Sequence, residues 1–550
     1  MLSRTSQSKM RENERPLTKT LTGSIRDKII EKFSSDRMRE LRCILCCVIL
    51  GVGLLIIHLK LFIYPSDDAY IHFRVAEHLL DGAGPYFNPS DPVKTTSSTV
   101  WTLGIAMVFL LVGRSVASIA FVNTIVLTAG GIFFGRLVYE CTGIRAAYWL
   151  ACLLYVSISL RASVGLMEVP LALLLTAAGL LLLRHGGAQG FTLLAVAAFC
   201  RPEMSLCMFV YFAYCVLQKK LSVSKVIFWS AIGALPFLLF DLYFFGTVVP
   251  HAIHAKAVVY AVTPIDTVRE FVTAALPDRL LTLTFPAALQ WMCLLVISGL
   301  AVVAWAMADI RVHAYAGPAF LLPLMASSLG VGVIYVASAT HLHLWYVPLV
   351  LAPIAVSIVP AMVKNKPASI MLTIIASLTF GILPLQAVAA SAISPILWPD
   401  FETGARVRKY LEVGEFLYRQ YPKAALLTSE IGGLGYSFKG AIIDGCGLAS
   451  PRALRYHPLK VPQERSSGKI GAIPANLVAE MRPELIVTYD AFGEALLRRH
   501  DIMSQYTHLV TSFYITKDMA RWRAWRFRYG SFLHVLVRKD IKALSPLDGR

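Results

Sequence analysis

Apolar runs fill the first 391 residues at a density that leaves little choice of fold. Stretches long enough to cross a bilayer, or nearly so, fall at about 42–63, 116–135, 146–161, 169–183, 191–200, 204–217, 225–244, 286–308, 317–339, 344–363 and 367–391. Inside hydrocarbon every backbone N–H and C=O needs an internal partner, so such runs must be helices. Of 550 residues, 56% are hydrophobic and 16% charged, where an average soluble chain carries about a quarter charged. The expected fold is therefore a polytopic α-helical membrane protein of about 11 segments. Several early runs are short for a perpendicular helix, so they are expected to be re-entrant or covered by neighbours.

Net charge is +18. In a membrane protein, surplus Lys and Arg belong to cytoplasmic loops beside anionic headgroups, so the sign does not argue for nucleic acid. The first 41 residues are polar and basic and contain no short apolar stretch with a small-residue cleavage site; no signal peptide is expected. Most of the ten cysteines lie in apolar segments, Cys446 stands apart, and no paired CxxC motifs point to zinc or disulfides.

Orientation follows from the basic loops. The tail 1–41, Arg136 with Arg145, Arg184–His185, Lys219–Lys220–Lys225, Arg311–His313 and Lys364–Lys366 should be cytoplasmic. The count of crossings is consistent only if "WTLGIAMVFLLVG" (Trp101–Gly113) lies in the interface. Five places then face outward: 64–114, 162–169, 201–203, 245–285 and everything after about 392. The sparse charges of the membrane half thus converge on one exterior surface, and intramembrane ionisable groups are by default a functional-site hypothesis.

After about residue 400 the composition becomes that of a soluble domain. Short apolar runs, "AALL" (Ala424–Leu427), "GAIID" (Gly440–Asp444) and "ELIVTYD" (Glu484–Asp490), alternate with helical patterns, and "FLHVLVRKD" (Phe532–Asp540) reads as a closing strand. The expected organisation is a cytoplasmic tail 1–41, a membrane domain 42–391 with a first extracytoplasmic loop 64–114, and an extracytoplasmic α/β domain 392–550.

Within the first loop, "SDDAY" places Asp67 and Asp68 side by side. The plain reading is a helix start with Ser66 as N-cap and acids in the first turn. The functional reading notes that His72 lies four residues after Asp68 on its face, that Arg74 is near, and that Glu168 in "SVGLMEVP" is a second outward acid. A partly desolvated carboxylate near other acids is a candidate general base. Asp67, Asp68 and Glu168 are equally candidate oxygen ligands for a divalent cation such as Mg, Mn or Ca, and sequence does not separate the two. In "CRPEM", Arg201 precedes a proline that breaks two short helices; it serves either a phosphate or Glu203. His251, His254 and Lys256 in "YFFGTVVPHAIHAKAVVY" suit a cationic phosphate pocket better than zinc, since no HExxH acid accompanies them. His343 in "HLHLWY" is similar in kind, against an interfacial Trp/Tyr anchor as the plain alternative. "EIGGLG" is no dinucleotide motif, and "ARWRAWRFRYG" suits carbohydrate, membrane surface or a solvated face alike.

Taken together, "SDDAYIHFRVAEHLLDGAGPYFNPSDPVKTTSSTVWTL" resembles the first loop of the GT-C glycosyltransferases, above all the mycobacterial terminal β-(1→2)-arabinofuranosyltransferase and related type IV pilin arabinosyltransferases. The matching positions are Asp67-Asp68-Ala69, Gly82-x-Gly84, Phe87-Asn88-Pro89 and Trp101-Thr102-Leu103. "GLMEVPL", "CRPE", "FFGTVVPHAIHAKA" and "SEIGGLGYSFKGAIIDGCGLASP" are similar to later family segments in the same order. Val169 stands where Thr is usual, His251 for Asn, His254 for Tyr and Glu430 for Asp.

The resemblance implies an inverting transfer of a sugar, D-arabinofuranose, from a decaprenyl- or undecaprenyl-phosphate donor to a cell-envelope glycan, glycolipid or glycoprotein. It implies Asp67 or Asp68 as base, Glu168 as second acid, and Arg201, His254 and Lys256 around the departing phosphate. It further implies a bacterial inner membrane location, with the N-terminus cytoplasmic and the active site outside. The alternatives are transfer of another lipid-linked sugar (mannose or aminoarabinose), or a transporter or flippase. Transporters often show internal repeats and bind near the bilayer midplane; no repeat is found here.

Overall fold

The computed structural model describes residues 65–89, 91–275, 317–343, 345–364, 401–461, 463–464, 471–512 and 532–543, all within one compact unit. The apolar runs 42–63, 286–308 and 367–391 and the segment 520–530 lie outside the described residues.

Among the described residues the membrane half is mainly helical. In chain order it comprises α1 (Asp67–Leu80), α2 (Thr99–Leu111), α3 (Val116–Thr142), α4 (Arg145–Val164), α5 (Val169–Arg184), α6 (Gly190–Cys200), α7 (Met204–Leu217), α8 (Val223–Phe245), α9 (His251–Tyr260) and α10 (Pro264–Ala275). A 3₁₀ turn (Pro318–Leu321) then leads into α11 (Leu322–Ala337), followed by α12 (Val347–Lys364). Among the described residues three helices, 116–142, 223–245 and 318–337, are long and apolar enough to cross a membrane. The others are shorter; α6, at 11 residues, rises about 16 Å, roughly half a hydrocarbon core. Its neighbours cover it: α5, α7 and α8 all pack against it. The α5–α6 contact is close because both faces carry glycine. A Cβ on Gly179 would lie 2.8 Å from the Gly190 carbonyl oxygen, so only small residues allow the approach.

The run Trp101–Gly113 forms α2, 13 residues long. Trp101, Ile105 and Phe109 are buried against α1, whereas Met107, Leu110 and Leu111 are 63%, 71% and 74% exposed. A helix this short with a bare apolar end suits an interface rather than a crossing.

After α13 (Phe401–Gln420) comes a mixed five-stranded sheet. Its strands are β1 (Leu426–Thr428), β2 (Ile442–Asp444), β3 (Leu485–Tyr489), β4 (Tyr506–Ser512) and β5 (Phe532–Arg538), in the order β2-β1-β3-β5-β4. β1 runs parallel to β2 and β3, and β5 runs antiparallel to β3 and β4. β1 and β3 are buried along their length, the pattern expected when both faces are covered. Between β1 and β2 lies the short helix α14 (Gly432–Phe438).

One apolar core joins this layer to the membrane half. Ile71, Val75 and Phe87 of the first loop and Ala252, Ala255 and Val259 of α9 pack with Leu426, Ile442, Val487 and Leu533 of the sheet. The first loop is thus sandwiched between bundle and sheet.

Candidate active site

Four connections of the bundle, at Ser97, Glu168, Arg201 and His343, and the helix α9 meet beside α1. Their meeting point is fixed by contacts among residues far apart in sequence, and α1 sets the geometry. On a helix, adjacent residues diverge by about 100°, whereas positions three, four and seven apart share a face. Asp67, Tyr70, Arg74 and Glu77 therefore form one face and Asp68 and His72 another, which resolves the adjacency of the two acids.

The first face is turned to the sheet layer. The Asp67 carboxylate accepts the Gly432 N–H at 2.9 Å on Oδ2 and the Gly433 N–H at 2.8 Å on Oδ1. Tyr70 meets the Tyr436 ring at 5.3 Å between centroids. The Arg74 guanidinium donates to the carbonyls of Phe87 (2.8 Å), Gly440 (2.7 Å) and Gly435 and lies 4.7 Å from the Phe87 ring. Glu77 accepts the Tyr436 hydroxyl at 2.9 Å. Asn88 completes the seam as a two-way bridge, donating to the Ile442 carbonyl at 2.9 Å and accepting its N–H at 3.2 Å. Burial pushes the Asp67 carboxyl up to about 7, aided by Glu430 and Asp68 and opposed by the two amides. Burial likewise pushes Arg74 down to about 10. Ser66 occupies the N-cap position of α1, but its hydroxyl donates to the Gly165 carbonyl at 2.9 Å and makes no cap bond.

The second face is turned to the site. Asp68 Oδ2 sits 3.1 Å from Lys256 Nζ, the two side chains 26% and 20% exposed. Lys256 is held charged: burial opposes its proton, but Asp68 first, then Tyr346 and Tyr260, more than offset this and raise its pKa. His72 is buried, 2.8 Å from Thr102 Oγ1. Because Thr102 gives its own hydrogen to the Ser98 carbonyl, the ring must donate through Nδ1. Burial lowers the His72 pKa.

Beneath lies a charge group in which Arg201 and Glu168 are buried and Glu203 is partly exposed. Arg201, in extended backbone before Pro202 as pre-proline sterics favour, reaches Glu168 Oε1 at 2.7 Å and Glu203 at 2.6 Å. Its guanidinium carbon stands 4.3 Å over the Tyr346 ring, and Tyr335 donates to Glu203 at 2.7 Å. Ser97 donates to Glu168 Oε1 at 3.4 Å. Glu168 Oε2 is buried with no hydrogen-bond partner among the described residues. His343 stacks on Trp345, centroids 4.5 Å apart and planes 4° from parallel. Burial, Lys256, His341 and Arg201 hold its pKa well down, and its buried Nε2 likewise has no partner among the described residues.

Not every candidate reaches this point. Asp67 and Arg74 are engaged by backbone of the sheet layer, and Arg201 has both a glutamate on each side and a ring below, which leaves it no free fork for a phosphate. His251 bonds through Nε2 to the Gly447 carbonyl at 3.1 Å, and His254 is exposed. Among the described residues no three His, Cys, Asp or Glu side chains are placed to hold a metal ion. Asp67, Asp68 and Glu168 each face a different partner, so they do not fit a shared cation, and no step is derived through one.

Sequence reading overlooked a second buried pair. Lys94, the sole lysine of 64–114, pairs with Asp241 of α8, the two 3% and 0% exposed. Thr99 also donates to Asp241 at 2.7 Å, and Lys94 reaches the Val248 carbonyl at 2.8 Å. An acid alone in the run 225–244 was the signal, since such a group must find a partner.

The helical bundle, the loop helices and the α/β layer together make up a fold found among solved structures. Among solved structures the chain is similar to ArnT from Cupriavidus metallidurans bound to undecaprenyl phosphate. The TM-score is 0.52 at 11% identity, over 91% of this chain and 99% of that one; the likeness is one of fold. Residues 399–533 match a family model described as a domain of unknown function, DUF8728. No curated protein matches in sequence.

Proposed function

We propose that the protein is an inverting glycosyltransferase. It moves a sugar, D-arabinofuranose by the resemblance of its first loop, from a polyprenyl-phosphate donor to a hydroxyl of a cell-envelope glycan, glycolipid or protein on the outer face of the inner membrane. The observation that carries the reading is the Asp68–Lys256 pair: a carboxylate and an ammonium 3.1 Å apart and still partly exposed, above a rigid buried acid–arginine group. The fold shared with ArnT, solved with undecaprenyl phosphate, supports a lipid phosphate as the donor's carrier.

Asp68 removes the proton of the acceptor hydroxyl as its oxygen attacks the anomeric carbon. The bond from that carbon to the phosphate oxygen breaks, and the lipid phosphate leaves with the electron pair. Lys256 turns from Asp68 toward this growing negative charge, which frees the carboxylate for the incoming proton. Such preorganised charge is worth ~3 kcal/mol per donor. Glu168 Oε2 orients an acceptor hydroxyl, and the neutral His343 ring is suited to a hydroxyl rather than a phosphate. Transfer of mannose or aminoarabinose would use the same residues; the likeness to ArnT favours keeping that second reading.

The test is transfer from synthetic polyprenyl-phospho-arabinofuranose, with the mannose and aminoarabinose donors alongside. Asp68→Asn should lower kcat roughly 10²–10⁴-fold, and Lys256→Met about 10²-fold or more. Full transfer by Asp68→Asn would remove it as base. Absence of transfer from every lipid-phosphate donor would sink the class.

A further inference from the structure

We infer that Asp67 is a positioning residue, through which the segment 432–447 of the sheet layer orients the neighbouring Asp68. This rests on the transferase reading above. Six groups of the first loop and α9 are tied to that one short segment: Asp67 to the amides of Gly432 and Gly433, Tyr70 to the Tyr436 ring, Arg74 to two carbonyls, Glu77 to Tyr436, Asn88 to Ile442, and His251 to Gly447. Four of them lie on the face of α1 that turns away from Lys256. A helix held along that whole face cannot roll, so the direction of Asp68, about 100° round the axis, is fixed with it.

The segment's composition fits this task. A Cβ on Gly432 would run into the Asp67 carbonyl oxygen, and one on Gly435 would lie 2.8 Å from Phe87 Cζ. Glycines here are what allow backbone amides to come within bonding distance of the carboxylate. The pattern "GGLG" thus reads as a contact surface for α1. Asp67 itself offers both oxygens to amides, which leaves it turned from the reacting groups. A small error in base direction lowers rate far more than binding.

The experiment uses the full-length protein in detergent, with steady-state transfer and hydrogen exchange at the Gly432 and Gly433 amides. Asp67→Asn, which keeps one acceptor oxygen, should lower kcat about tenfold with donor KM unchanged. Asp67→Ala should lower it further and speed exchange at both amides at least tenfold. Asp68→Asn should lower kcat roughly 10²–10⁴-fold and leave exchange as in the wild type. Gly433→Ala is a milder second probe, because its Cβ would meet Val407 at 3.1 Å and Asp67 Oδ1 at 3.6 Å; it should follow Asp67→Asn. The inference is overturned if Asp67→Asn is as inactive as Asp68→Asn with exchange unchanged, since Asp67 would then be the base. It is equally overturned if Asp67→Ala leaves both readouts at wild-type values. Should the wild type transfer nothing, the transferase reading fails, and the exchange arm still decides whether Asp67 holds the segment.

Discussion

Asp67 shows how much a neighbour's identity conceals. Burial first, and then the like charges of Glu430 and Asp68, push its carboxyl up to about 7 from an ordinary 3.8. A raised carboxyl favours the folded state while protonated. Its contribution is complete below pH 3.8 and is lost as pH rises through about 7. Asp67→Asn should therefore flatten the fall in stability between these limits, measured by thermal unfolding in detergent across the range. If the slope persists unchanged, another group is responsible. Asp68, Glu168, Arg201, Lys256 and His343, each singled out from the sequence, lie together around Tyr346 and Tyr260. Which of the two aspartates faced inward was not legible, because helix phase decides it and the partners are backbone amides of a segment some 365 residues away.

Among the elements, α2 and α8 teach the most. Length alone did not set the 13-residue α2 apart, since α6 is shorter still; the count of crossings between basic loops did. α8 carries Asp241 inside an apolar stretch, and its partner Lys94 comes from the first loop. Removing one member of so buried a pair leaves a charge without compensation, at about 3–5 kcal/mol. Lys94→Met should lower stability by that much, whereas Lys94→Met with Asp241→Leu should recover most of it. A double variant no better than the single one would show that the pair's worth lies in Thr99 and Val248 instead. The strands were legible from their short apolar runs, since β1, β2, β3 and β5 fall on them. β4 was not: "YTHLVTS" has four of its residues exposed in a row, so neither alternation nor a buried run marks it.

For the molecule as a whole, the first loop, α9 and the sheet share one apolar core. A shift near residue 400 reads as a boundary, yet the apolar contacts run straight across it. Gly432→Ala should accordingly disturb both sides. Its Cβ would collide with the Asp67 backbone, so limited proteolysis should cut faster within 65–89 as well as within 432–447. Cleavage confined to the second stretch would show the first loop holding its shape unaided.

The long reach from Asp67 to Gly432 also dictates when α1 can be anchored. Chain closure over such a span is slow and happens only once both ends exist. A ribosome that has threaded the entire bundle into the bilayer has still left α1 without its anchor, and a nonsense codon anywhere before residue 432 leaves the acid pair unheld for good.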